Sequence, residues 1–197
     1  MSSEPDALTL VALRASDLSV PTPPVRSGEE AVPLVEAAKA GDRGAFAALY
    51  DRYVRMVHGI VLARVDRAHV DDLVQDVFVH ALGRLASLRE PAAFGGWLAT
   101  IARNRTTDHL RHNARNEVPI EDDAPGPGEN RAEALAVLEV LRTLPDAYRE
   151  TLALRLIEGM TGPEIAERTG LTPASVRVNL HRGMKMLRAR LQGDARE

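Results

Sequence analysis

The segment from Phe94 to Arg115, FGGWLATIARNRTTDHLRHNAR, constrains the fold more than any other, because it reads as one helix whose character changes halfway along. Phe94, Trp97, Leu98 and Ile101 fall at i, i+3, i+4 and i+7, the spacing of a stripe that faces a core. The stripe stops after Ala102. Arg103, Asn104, Arg105, Asp108, His109, Arg111, His112 and Arg115 then make the helix polar almost all round, with four arginines against one carboxylate. The first half of such a helix packs, and the second half suits a polyanion.

The rest of the chain is helical by the same test. Phe46, Leu49, Tyr53, Met56, Val57 and Ile60 repeat on one face after a break at Gly41, and Val70, Leu73, Val74, Val77, Ala81 and Leu85 make a second run. Leu135, Leu138 and Leu141 precede a helix opened by Pro145. No window alternates with the period of two that a strand requires. Residues 1–30, with Pro5, Pro21, Pro23 and Pro24 among serines and acids, cannot bury enough apolar surface to order themselves. Leu8, Val11, Ala15 and Leu18 do keep helical spacing, so a short helix folding on a partner is the other reading of that tail. Residues 116–130 carry Asp122, Asp123, Pro125, Gly126, Pro127 and Gly128 without periodicity, a flexible acidic linker. The expectation is an all-α chain: a disordered extension over 1–30, a small helical domain over 31–115, the linker, and a second small helical domain over 131–197.

Charge follows this division. The net charge of -3 is an odd total for a partner of nucleic acid, but residues 1–30 hold 2 basic and 5 acidic groups, and residues 116–130 hold 5 acidic groups and no basic one. The two domains are therefore mildly basic, and residues 171–191 carry Arg177, Arg182, Lys185, Arg188 and Arg190 with no acid. Local fields of this kind steer polyanions, whatever the total.

The C-terminal domain holds the clearest local chemistry. Thr161-Gly-Pro-Glu164 is a capping box that opens a short helix, Gly170 closes it, and Thr172-Pro173 caps the next. Two helices joined by a short glycine-containing turn make a helix-turn-helix pattern. In the second helix Val176, Leu180, Met184, Leu187 and Leu191 form the buried stripe. Ala174, Val178, His181, Arg182 and Lys185 face outward, where basic groups meet phosphates and short side chains approach base edges. A solvated basic face on a helical hairpin has the same pattern.

Three motifs in order resemble the extracytoplasmic-function group of bacterial sigma factors: Trp97-Leu98-x-x-Ile101-Ala102-x-Asn104-x-x-x-Asp108-x-x-Arg111; Asp72-Leu-Val-Gln75-Asp76-Val-Phe78; and Leu144-Pro145 through Arg149 to Glu158-Gly159 and Glu164-Ile-Ala-Glu167. The resemblance covers roughly residues 41 to 191. It implies a sigma2-like domain that binds core RNA polymerase and melts the minus-ten element, and a sigma4-like domain that reads the minus-thirty-five element. On that basis Arg103, Asn104, Arg105, His109, Arg111, His112 and Arg115 contact the minus-ten element and its melted strand. Ser175, Arg177, Val178, His181, Arg182 and Lys185 contact the upstream duplex. Asp72, Gln75, Asp76 and Val79 dock on the polymerase clamp helices, a face that without the family reads as solvated surface. The implied partners are core polymerase at its clamp and flap, promoter DNA in double- and single-stranded form, and an anti-sigma factor. The chain departs from the family where a Ser-Arg pair becomes Val178-Asn179 and a later arginine becomes Met184, which removes two candidate contacts and leaves Val178 facing a thymine methyl.

Other chemistry finds no support. There is no cysteine, so disulfides and thiolate metal sites are excluded. His109 and His112 beside Asp108 lie among arginines that oppose a cation, so no metal or cofactor is expected. Asp108 is placed to orient Arg105 or Arg111 by a local ion pair. Trp97 reads first as a core residue and second as a wedge at the melted junction. No nucleophile or phosphate-loop motif is present, so the chain is not read as an enzyme. Without a signal peptide or a membrane-length apolar run, it is expected in the cytoplasm. The rival readings are a sigma-like adaptor that binds an acidic protein, and a stand-alone helix-turn-helix regulator.

Overall fold

The structure is a computed structural model that describes residues 27–116 and 129–194. The first half contains α1 (Ser27–Lys39), α2 (Arg43–Leu62), α3 (Val70–Arg84) and α4 (Phe94–Asn116), with single 3-10 turns at Arg67–His69, Leu85–Ser87 and Pro91–Ala93. The second contains α5 (Glu129–Arg142), α6 (Asp146–Leu156), α7 (Gly162–Thr169) and α8 (Pro173–Asp194). Among the described residues there is no strand. Ser27 to Glu30, expected in the disordered extension, instead form the first turn of α1, whose Ala31, Val35 and Ala38 are buried. Of the linker expected over 116–130, Asn116 ends α4 and Glu129 and Asn130 open α5, while residues 117–128, like residues 1–26, lie outside the described residues.

Local chemistry sets the boundaries. Gly41 turns the chain with a φ of 97°, a conformation costly for other residues, and Asp42 caps α2 by accepting from the amides of Gly44 and Ala45 at 2.7 and 3.1 Å. The capping box at Thr161 is present in full: its amide donates to Glu164 Oε2 at 2.7 Å, and the Glu164 amide donates back to Thr161 Oγ1 at 3.4 Å. Gly170 ends α7 with a φ of 73°, and Thr172 Oγ1 accepts from the Ser175 amide at 3.1 Å to open α8.

The apolar stripes meet as their spacing requires. Leu49, Tyr53, Met56, Val57 and Ile60 of α2 pack with Val70, Leu73, Val74, Val77 and Ala81 of α3 and with Phe94, Leu98 and Ile101 of α4, all buried. Trp97 is half-buried against this core, its ring 5.8 Å from that of Phe94. In the second half Leu138, Leu141, Leu152, Ile165, Val176, Leu180, Met184 and Leu187 are buried together. The two halves also touch, through α2 against α6 and α4 against α7.

Candidate nucleic-acid interface

Along α4 the change of character is physical. Thr106 is the last buried side chain among the described residues of α4, and Asn104, Asp108, Leu110, Arg111, His112 and Asn113 are exposed. The arginines are not equivalent. Arg103 is half-buried and makes a two-pronged contact with Glu150 of α6, donating from Nε at 2.9 Å and from a terminal nitrogen at 2.7 Å. This carboxylate holds the Arg103 guanidinium above its ordinary pKa. Arg105 donates to Asp76 of α3 at 2.6 Å. Only Arg111 among the described arginines of this half-helix points mainly to solvent, with a long 3.9 Å ion pair to Asp108. The local pair expected of Asp108 is therefore with Arg111, while Arg105 turns to α3. The Arg115 side chain lies outside the described residues.

His109 stacks near His69, ring centres 4.8 Å apart. Burial first, then the charges of His69 and His112, hold His109 below its ordinary pKa, so it is a neutral hydrogen-bonding group near pH 7 rather than a phosphate clamp. Among the described residues no group of three or more histidines and acids could hold a metal ion.

The second candidate surface is the outer face of α8. Ser175, Arg177, Val178, His181, Arg182 and Lys185 are all exposed on it. Asn179 is different: it turns inward and donates to Thr151 Oγ1 of α6 at 3.4 Å. The Val178-Asn179 departure thus divides between a surface apolar group and an internal packing contact. Gly183 is buried, and a Cβ there would lie 3.0 Å from Tyr148 Cβ and 3.1 Å from Leu152 Cδ1. Its lack of a side chain lets α8 lie close to α6.

On α3, Asp72, Gln75 and Val79 are exposed and Asp76 is half-buried against Arg105. Leu82 extends this face and is 52% exposed beside Val79 at 65%, so an apolar end follows the polar one. Leu82 was legible by spacing, since it falls three residues after Val79 on the same line of the helix. Glu150 carried no such signal, because its partners Arg103 and Arg64 lie far away in sequence.

Comparison with known proteins places both surfaces in a family context. The family model described as Sigma-70 region 2 matches residues 49–116, and the one described as Sigma-70, region 4 matches residues 134–187. The chain is 33% identical to the ECF RNA polymerase sigma factor BldN of Streptomyces coelicolor, over 83% of this chain and 66% of that one. It is 33% identical to the RNA polymerase sigma factor NccH of Alcaligenes xylosoxydans xylosoxydans, over 81% of this chain and 93% of that one. Among these curated relatives it spans from 42% to 95% of their length. CnrH, a sigma factor of Cupriavidus metallidurans solved in complex with the cytosolic domain of CnrY, aligns with a TM-score of 0.59 and 29% identity, over 83% of this chain and 97% of that one.

Proposed function

The chain belongs to the extracytoplasmic-function group of the sigma-70 family, and from that membership we propose that it binds core RNA polymerase and directs promoter-specific initiation. The single observation that carries this reading is that two separate candidate nucleic-acid surfaces, on α4 and on residues 175–185 of α8, fall within matches to regions 2 and 4 on one chain. Asn104, His109, Arg111, His112 and Arg115 hold the melted minus-ten strand, joined by Arg103 and Arg105 once their carboxylate partners release them. Ser175, Arg177, Val178, His181, Arg182 and Lys185 meet the upstream duplex, arginine and lysine on phosphates and the shorter side chains toward base edges. Asp72, Gln75, Asp76 and Val79 meet the polymerase clamp, and the region 4 half lies at the flap. A linker within residues 117–128 separates the two reading domains.

Members of this family are regulatory DNA-binding proteins, and this one makes or breaks no bond itself. Its place is the cytoplasm, and an anti-sigma factor is its natural restraint. Among the described residues no helix is long and apolar enough to cross a membrane.

The test is transcription in vitro with added core polymerase, followed by permanganate footprinting of two variants. Arg111→Ala is expected to reduce open-complex formation on duplex and on pre-melted templates and to flatten its salt dependence by about one counterion. Arg182→Ala is expected to weaken upstream binding and leave a pre-melted template nearly unaffected. Identical behaviour of both variants on both templates points to an adaptor, and promoter binding without polymerase points to a stand-alone regulator.

A further inference from the structure

The polar half of α4 touches the 3-10 turn Arg67–His69 that leads into α3. There the rings of His69 and His109 lie with their centres 4.8 Å apart, tilted by 58°, and His112 follows three residues after His109 on the same helix. Both stacked rings are half-buried, and His112 is exposed. Three imidazoles thus share one patch of the α4 surface.

Hydrogen bonding fixes the resting state of His109. The Asn113 side-chain amide donates to His109 Nε2 at 2.9 Å, a bond that only an unprotonated Nε2 accepts. Burial first, then the charges of His69 and His112, favour this neutral ring, and Asp66 opposes them. A ring that gained a proton would keep Asn113 as a partner, because a half-turn of the amide presents its oxygen in place of its nitrogen. What the charged ring needs is a counter-charge.

The neighbouring carboxylates supply little of it. Asp66, which precedes the 3-10 turn, accepts from Arg142 of α5 at 3.2 Å, and Arg142 also donates to Glu139 at 2.6 Å. Asp76 of α3 accepts from Arg105 of α4 at 2.6 Å, and Asp108 of α4 faces Arg111 at 3.9 Å. Asp71 and Asp72, in the first turn of α3, are exposed, and Asp71 and Arg67 act on His58 of α2. Of these groups Asp66 is the carboxylate that favours a charged His109, and it is shared with Arg142.

We propose that strand binding on this face is coupled to proton uptake: a phosphate of a single-stranded nucleic acid seated beside His69, His109 and His112 supplies the counter-charge that Asp66 gives only in part, and His109 takes a proton from solvent as the strand arrives. The inference rests on the sigma-factor reading above and concerns the same α4 surface. An opposite charge close to a titratable group favours its charged form, so His109 titrates higher in the bound protein than in the free one. Between those two values the bound state carries one more proton. Affinity for the strand therefore rises as pH falls through the bound value, levels off below the free value, and is indifferent to this group above both. The added charge also steepens the salt dependence in acid by about 0.7 of a logarithmic unit of slope, the increment for one contact on a single strand.

The test follows the His109 imidazole by NMR against pH, in the full chain alone and in the full chain saturated at low salt with a random-sequence single-stranded DNA pool. His109 is expected to titrate about one unit higher with the DNA bound, and the Kd for that pool to tighten about five- to tenfold between about pH 7.5 and 5.5. His109→Gln should flatten this pH dependence and remove the steeper salt slope in acid. His69→Gln should raise the titration of free His109 and so shrink the difference. Identical titration of His109 with and without DNA would overturn the proposal, and so would a pH dependence that His109→Gln leaves untouched. A raised titration in a chain that directs no transcription with added core polymerase would leave the coupling standing and count against the sigma-factor reading instead. An unmoved titration in a chain that does direct transcription would do the reverse.

Discussion

Gly183 shows how one missing side chain fixes a packing distance. Replacing a helical glycine ordinarily stabilises a helix by up to about 1 kcal/mol, but here the new Cβ would press on Tyr148 Cβ at 3.0 Å, an atom fixed to its own helix. Overpacking costs about 1–3 kcal/mol, so the steric effect prevails and Gly183→Val should lower the melting point of the region 4 half. Calorimetry checks this, and an unchanged or raised transition would mean that α8 and α6 lie farther apart. His58 makes a different single-residue prediction. Its hydrogen bond to Glu158 raises its pKa above 6.5; burial opposes this, the charges of Glu158 and Asp71 support it, and Arg67 opposes it. Arg55 also faces Glu158 at 3.8 Å. With the folded pKa raised, the contact contributes fully below the unfolded value and fades as pH rises through the folded one. The melting temperature should therefore lose this contribution as pH rises above about 6.5, and His58→Gln should flatten that part of the pH profile.

At the scale of elements, α3 serves two masters. Its outer line runs Asp72, Gln75, Val79, Leu82, while Asp76 on its flank ties α3 to α4 through Arg105. Reversing Asp76 to Lys thus removes an internal ion pair as well as a docking group, and a fall in polymerase affinity would have two causes. Asp72→Lys isolates the docking role, because Asp72 is exposed and exposed substitutions usually shift stability within about 0.5 kcal/mol. Weaker binding to core polymerase with an unchanged melting curve is the expected result; unchanged binding would move the docking surface elsewhere. Val79→Asp should act in the same direction by placing charge in the apolar end of the face.

For the whole molecule, the linker and the contact of α2 with α6 and of α4 with α7 predict how the chain comes apart. We expect protease to cut first between residues 117 and 130, where the sequence has no periodic apolar face. The two fragments should then stay together at low ionic strength and separate as salt rises, since the ion pairs that join them, Arg52 with Glu167, Arg64 with Asp146 and Arg142 with Asp66, are partly exposed and are screened over about 8–10 Å near 0.1 M salt. Size-exclusion chromatography of the cut protein reads both steps. Fragments that separate even in low salt would show that the linker alone holds the halves together.

The sequence by itself determined the helices and their inward faces, because a stripe at helical spacing has one way to be buried and a capping box is complete within four residues. It determined the family too, since the motifs at Asp72, Trp97 and Leu144 are local strings, and it identified the exposed line of α8. It did not reveal that Glu150 holds Arg103, that Asp76 holds Arg105, that Asn179 points inward, or that Gly95 and Gly59 lie where the two halves touch, a Cβ on either meeting Arg168 or Leu154 and Glu158 within 3 Å. Each of these depends on which helices become neighbours, and a side chain or a missing Cβ carries no trace of a partner 28 to 99 residues away. Tertiary structure decided them because ion pairs and close backbone approach are properties of distance in space, whereas periodicity and capping are properties of distance along the chain.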